Sequence, residues 1–129
     1  MNLRSTETFE PSPDQVGAAR RFAVGMVRGW GVDPDDVAVV VGELAANAVL
    51  HARSPFRVTL RDEGDRVLVE VADANPRVPS VTPILPDALS GRGLHLVGRL
   101  AKAWGVRPAA PVGKVIWAEL ASQRWPLSR

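Results

Sequence analysis

The sequence predicts an α+β domain, a two-layer sandwich with helices on one face of a mixed, mainly antiparallel sheet. Three observations predict it. Residues 16–30 and 37–48 carry apolar side chains at i, i+3, i+4 and i+7, the period of a helix with one buried face. Residues 56–72 alternate side-chain types on either side of a short acidic turn, the period of a β-hairpin. The predicted elements run strand, helix, helix, strand, strand, loop, helix, strand, strand. A sheet built in that order hides its apolar face only if the helices gather on one side of it.

Residues 3–10, LRSTETFE, alternate weakly and read as a short opening strand. Ser12 then offers an N-cap and Pro13 the first position of a helix, where its missing N–H is not needed. Val16, Ala19, Phe22, Ala23, Met26, Val27 and Trp30 form the stripe of that helix, which stops at Gly29 to Gly31. Asp33 caps the next helix, with Pro34 at its first position and Asp35 and Asp36 favourable to its dipole. Val37, Val40, Val41, Leu44 and Ala48 mark its core side, and the pattern carries it to Ala52. After Arg53-Ser54-Pro55, two strands are joined at Asp62 to Asp65, with Gly64 available for a positive φ. Residues 74–90 contain Pro76, Pro79, Pro83 and Pro86 without periodicity, and a loop of that length in a small domain points to function or disorder. Ser90-Gly91-Arg92-Gly93 ends the loop. Leu94, Leu96, Val97, Leu100 and Ala101 then mark a third helix, Trp104 to Arg107 a strand, Pro108 to Gly113 a turn, and Lys114 to Leu120 the last strand. Residues 121–129 read as a short, partly ordered tail.

Bulk properties bound the function. The 129 residues, 46% hydrophobic and 23% charged, suit one domain spanning 1–129 with its own core. The absence of cysteine excludes disulfides and thiolate metal sites, and two distant histidines argue against zinc. The pI of 9.9 overstates the basicity, because the net charge is only +2 and little titrates between His and Arg. Lys and Arg are scattered, so no direct nucleic-acid contact is expected. The N-terminal residues lack the charged and apolar regions of a signal peptide, and no apolar run approaches the ~18 residues of a membrane span. The expected location is cytoplasmic.

Chemistry is concentrated in three places. Glu43, Asn47 and His51 lie four apart, so they form a stripe that drifts by about 40° per step along the second helix. Asn47 falls roughly 80° and Glu43 roughly 120° from the centre of the apolar face, bordering the core. The pair is either a solvated boundary or a functional one. In the functional case Asn47 supplies an oxygen to a hard cation completed by water and phosphate, and Glu43 orients or deprotonates a nucleophile. His51 reads as a helix-end residue interacting with the dipole. Asp73, at a strand end, either starts a turn or accepts a hydrogen bond from an exocyclic amine. Gly91-Arg92-Gly93-Leu94 is a glycine-rich turn opening a helix, a hinge or an anion site; it is neither a Walker A loop nor a Rossmann turn.

Taken jointly, E-L-x-x-N-A at 43–48, V-x-D at 71–73 and G-R-G-L-x-L-V at 91–97 resemble the N, G1 and G2 boxes of the GHKL ATPase superfamily. G-K-V-I-W-A-E-L at 113–120 resembles the last strand of its anti-sigma-factor serine kinase branch. The resemblance covers nearly the whole chain. It implies the Bergerat ATP-binding fold of a histidine kinase-like ATPase domain, with Mg²⁺ and ATP as cofactors. It further implies Asn47 as Mg²⁺ ligand, Glu43 as general base toward the serine of an anti-sigma-factor antagonist, and Asp73 as acceptor of the adenine amine. Residues 74–93 become the ATP lid, with Gly91, Arg92, Gly93 and Leu94 closing over the phosphates. A sigma factor and its antagonist are the implied partners, and a homodimer the implied assembly. The family's G1 box is D-x-G-x-G, whereas here it reads Asp73-Ala74-Asn75-Pro76-Arg77. That turn is stiffer, and Asn75 is the residue expected to take a left-handed position in place of glycine.

Two further readings stand beside the kinase. One is a non-catalytic module that sequesters a partner and keeps a degenerate nucleotide site. The other is a detached histidine-kinase ATPase domain, which the lack of a preceding phospho-accepting helical segment disfavours.

Overall fold

The computed structural model describes residues 3–76 and 89–123, the side chains of 89–93 excepted. The elements are β1 (Leu3–Phe9), α1 (Pro13–Met26), α2 (Pro34–Asn47), a π-helical turn (Ala48–Ala52), β2 (Phe56–Asp62), β3 (Arg66–Asp73), α3 (Leu89–Leu100), β4 (Ala103–Pro108) and β5 (Lys114–Ala121). The strands form one sheet in the order β1-β2-β3-β5-β4, and all four pairings are antiparallel. The chain leaves β3 and returns through α3 to β4, so that β5 closes the gap between them. This crossover places α3 with the other helices.

Proline at the first helical position opens both α1 and α2. At α2, Asp33 caps as expected, its carboxylate accepting from the Asp35 N–H at 2.8 Å. Ser12 behaves differently. Its hydroxyl donates to Asp14 at 2.7 Å instead of accepting from the helix backbone. That bond, with the Asp14 backbone N–H and the Gln15 side chain, lowers the Asp14 pKa below its ordinary value. Gly29 and Gly31, both at positive φ, end the α1 region and turn Trp30 into the core.

Val37, Val40, Val41 and Leu44 of α2 are fully buried against Val58, Leu60, Val67, Val69, Ile116, Ala118 and Leu120 of the sheet. Each such side chain is worth about 1.5–3 kcal/mol of transfer free energy. α1 packs beside α2 through Ala19 and Ala23, and Gly42 lets the Arg20 stem lie across α2, where a Cβ would come within 3.1 Å of its Cδ. Phe9 stacks on Phe56 with ring centroids 5.5 Å apart and tilts against Phe22 at 6.0 Å, joining β1 to α1. Met26 and Leu96, assigned by period to apolar stripes, are exposed.

Two expectations are corrected. The second helix does not run regularly to Ala52. After Asn47 it widens into the π turn, in which the Arg53 N–H reaches Ala48 O at 3.2 Å, and it stops at Arg53 with φ 55°. The third helix begins at Leu89, so Gly91 to Gly93 lie inside its first turns and not in a turn before it. Two glycines cost a helix about 1 kcal/mol each, and the burial of Leu94 and Val97 offsets that. The first residues of the expected tail are tied to the α1–α2 connection. Ser122 donates to Trp30 O at 2.6 Å and the Gln123 N–H to Gly31 O at 2.6 Å, while residues 124–129 lie outside the described residues.

Candidate functional site

The inward face of β3 reads Val67, Val69, Val71 and then Asp73; that of β5 reads Lys114, Ile116, Ala118 and Leu120. Antiparallel pairing sets Asp73 directly opposite Lys114. The strand period therefore drives a carboxylate and an ammonium into the same layer as the aliphatic core. Lys114 Nζ donates to both Asp73 oxygens at 3.0 Å and to the Asn75 carbonyl at 3.1 Å. The two side chains are only 3% and 1% exposed. Such a pair is tolerated because the partners satisfy one another, and removing one of them strands the other.

The backbone beyond Asp73 is bent without glycine. Asp73 Oδ1 accepts from the Asn75 N–H at 2.9 Å, an Asx turn made by the aspartate itself. Arg53 is the one non-glycine with positive φ among the described residues, so Asn75 does not take the left-handed position expected of it. Its amide is used otherwise, donating to His51 O at 3.0 Å. The Ser54 hydroxyl accepts from the Ala74 N–H at 3.1 Å. The altered turn is thus tied to the chain that follows α2. His51 contributes its carbonyl and leaves its side chain exposed, in keeping with a helix-end residue.

Asn47 stands at the junction of α2 and the π turn, 5% exposed. Neither its Oδ1 nor its Nδ2 has a hydrogen-bond partner among the described residues. A buried carboxamide left this way costs about 1–3 kcal/mol per group, so the position carries a penalty that an apolar residue would avoid. A neutral amide oxygen suits a hard cation completed by phosphate and water. Asn47 fits the Mg²⁺ that an ATP site would bring. Glu43, one turn earlier, is half-buried and shares a shallow cleft of 190 Å³ with Arg20, Ala38, Val39 and Gly42. The drift of the stripe has therefore turned Asn47 inward and left Glu43 at the α1 side.

The remaining expected positions divide. Gly91, Arg92, Gly93 and Leu94 lie in the first turns of α3, whose leading N–H groups lack intrahelical acceptors. Leu94 points into the core at 2% exposed, so only its backbone is available to a ligand. Of the expected lid, 74–93, residues 77–88 lie outside the described residues. An open hollow of 290 Å³ beside the turn after β3 is lined by Asp73 and Ala74 together with Thr8, Arg57, Ala72 and Val112.

Sequence reasoning assigned no role to Lys114. The signal was present, since a lysine at the inward parity of Ile116, Ala118 and Leu120 is a charge in a core position. Its meaning depended on the register that places it opposite Asp73.

Comparison with known families adds one finding. A family model described as histidine kinase-like ATPase domain matches residues 9–120, a span from the end of β1 to the last inward residue of β5. No curated protein matches the chain.

Proposed function

From the premise that this chain belongs to the histidine kinase-like ATPase domain family, we propose that it is an ATP-binding regulator of the anti-sigma-factor serine kinase type. Its open antiparallel sheet with helices on one face is consistent with the GHKL ATPase fold. One observation carries the proposal for this chain's own residues. Asn47 is buried at the C-terminal end of α2 with both amide atoms unpartnered among the described residues. That cost is explained if a nucleotide-borne cation completes it.

In this reading Asn47 holds Mg²⁺, which supplies charge neutralisation to the phosphates, and Asp73 accepts from the adenine amine. The N-terminus of α3, at Gly91 to Leu94, faces the phosphates. Glu43 takes the proton of a serine hydroxyl on an anti-sigma-factor antagonist as that oxygen attacks the γ-phosphorus and ADP leaves. The same domain sequesters a sigma factor, in the cytoplasm and as a dimer, and yields it when the antagonist competes. Calorimetry tests the nucleotide site: wild type binds ATP with Mg²⁺, and Asp73→Asn binds it at least about tenfold more weakly. No heat from wild type at millimolar ATP overturns the reading.

A second reading rests on the replaced glycines of the G1 box and the stiff Asp73-Ala74-Asn75 turn. It is a partner-sequestering module whose nucleotide site no longer turns over. Glu43→Ala separates the two. Lost phosphotransfer to the antagonist with ATP binding retained supports the kinase; wild type that binds ATP and transfers nothing supports the module.

A further inference from the structure

Lys114, buried against Asp73, has all of its protons committed. An ammonium has three protons, and three acceptors take them: Asp73 Oδ1, Asp73 Oδ2 and the Asn75 carbonyl. No proton is left for a ligand. The Asp73 carboxylate is differently placed. Oδ1 receives both Lys114 and the Asn75 N–H, whereas Lys114 is the donor shown on Oδ2. With about two lone-pair sites on each oxygen, the remaining acceptor capacity lies on Oδ2.

We propose that Lys114 is the positioning residue of the base pocket: it locks the Asp73 carboxylate so that one oxygen is saturated and the other accepts from a purine 6-amine. The idea rests on the nucleotide reading above and adds to it a residue, a geometry and a consequence. A carboxylate free to rotate can trade acceptors between ligands. One held at three points, two by an ammonium that itself has no spare proton and one by the Asn75 N–H, offers the base an acceptor and nothing else. A 6-amino purine supplies the donor that acceptor needs. A 6-oxo purine sets a carbonyl oxygen against it, and the site then holds two facing acceptors with no proton between them. Lys114 thus stays on Asp73 when the nucleotide is bound, and discrimination between the two bases depends on it without its touching either.

The experiment compares ATP with inosine triphosphate, which differs by a carbonyl in place of the 6-amine, on full-length wild type, Lys114→Gln and Lys114→Arg. Circular dichroism and thermal melting first establish the folded fraction of each. Wild type is expected to prefer ATP by tenfold or more, about the value of one hydrogen bond to a charged group. Lys114→Gln is expected to lose most of that preference by weakening ATP while inosine triphosphate changes by less than about twofold. Lys114→Arg, which keeps the charge, recovers part of it. Equal loss for both nucleotides assigns Lys114 a purely structural role and overturns the proposal. Wild type that binds both nucleotides equally overturns it too, since Asp73 then does not read the 6-position; wild type that binds neither overturns the nucleotide reading itself. Should Lys114→Gln fail to fold, nitrogen-detected NMR of the wild-type ammonium decides. A slowly exchanging Lys114 signal that persists at saturating ATP supports the lock. Its loss on ATP binding shows displacement, and overturns it.

Discussion

Asn47 and Lys114 are both polar groups taken out of water, and the structure treats them oppositely. Lys114 is satisfied by three acceptors, so its burial is balanced within the fold. Asn47 has no such partner among the described residues. A residue kept at a cost to the unliganded fold is where function and stability are expected to part. Asn47→Leu, close in volume and without polar atoms, is expected to stabilise the ligand-free protein by about 1–3 kcal/mol in urea unfolding, because it removes an unsatisfied amide. The same variant is expected to lose the Mg²⁺ dependence of ATP binding. A Leu variant less stable than wild type would mean that Asn47 has a partner in the fold and is not held for a ligand.

At the scale of elements, the site depends on how three chain segments meet. The π turn after α2 extends the helix by a widened ring and ends it at Arg53, from where His51 O and Ser54 Oγ reach the turn after β3. π turns of this kind are frequent at functional positions because they re-aim the residues beside them. The start of β5 approaches the same turn closely. Gly113 has φ 117°, and a Cβ on it would overlap the Asp73 carbonyl oxygen. Both its backbone conformation and its contact therefore demand glycine. Gly113→Ala is expected to destabilise by more than about 3 kcal/mol, measured by chemical denaturation, and to shift the Asp73 and Lys114 backbone resonances. Gly64 is a contrast: it has φ 93° in the β2–β3 turn with open space about it, so alanine there meets only the backbone penalty.

Over the whole molecule, α1 packs on β1 and β2, α2 on β3 and β5, and α3 on β4. A ligand that joined α2, the β3 end and the α3 N-terminus would add to the α2–α3 packing and to the hydrogen bonds from Ala74 and Asn75 to Ser54 and His51. Mg·ATP at a hundred times its dissociation constant is expected to stabilise the fold by about 2.7 kcal/mol, read as a rise in Tm, with a smaller rise when EDTA removes the cation. An unchanged Tm at millimolar Mg·ATP would contradict the proposed site. No helix among the described residues is long and apolar enough to cross a membrane.

The sequence by itself determined the elements and the fold class. Helix and strand periods are local properties, and Pro13, Pro34, Asp33 and Gly64 act on the backbone within a residue or two of themselves. It also marked Asn47 and Asp73, since a polar side chain at the border of an apolar stripe is visible in one dimension. What the tertiary structure decided was what those side chains meet. Asp73 and Lys114 stand 41 residues apart, and only the β3–β5 register sets one against the other. The bond from Asn75 to His51 crosses 24 residues, and it accompanies a backbone that is not left-handed, against the expectation from the conformational tolerance of asparagine. The widening of α2 after Asn47 likewise cannot be read from the period of its side chains, which continues to Ala52. Local chemistry proposes which groups can act; pairing across the fold decides which of their atoms remain free to do so.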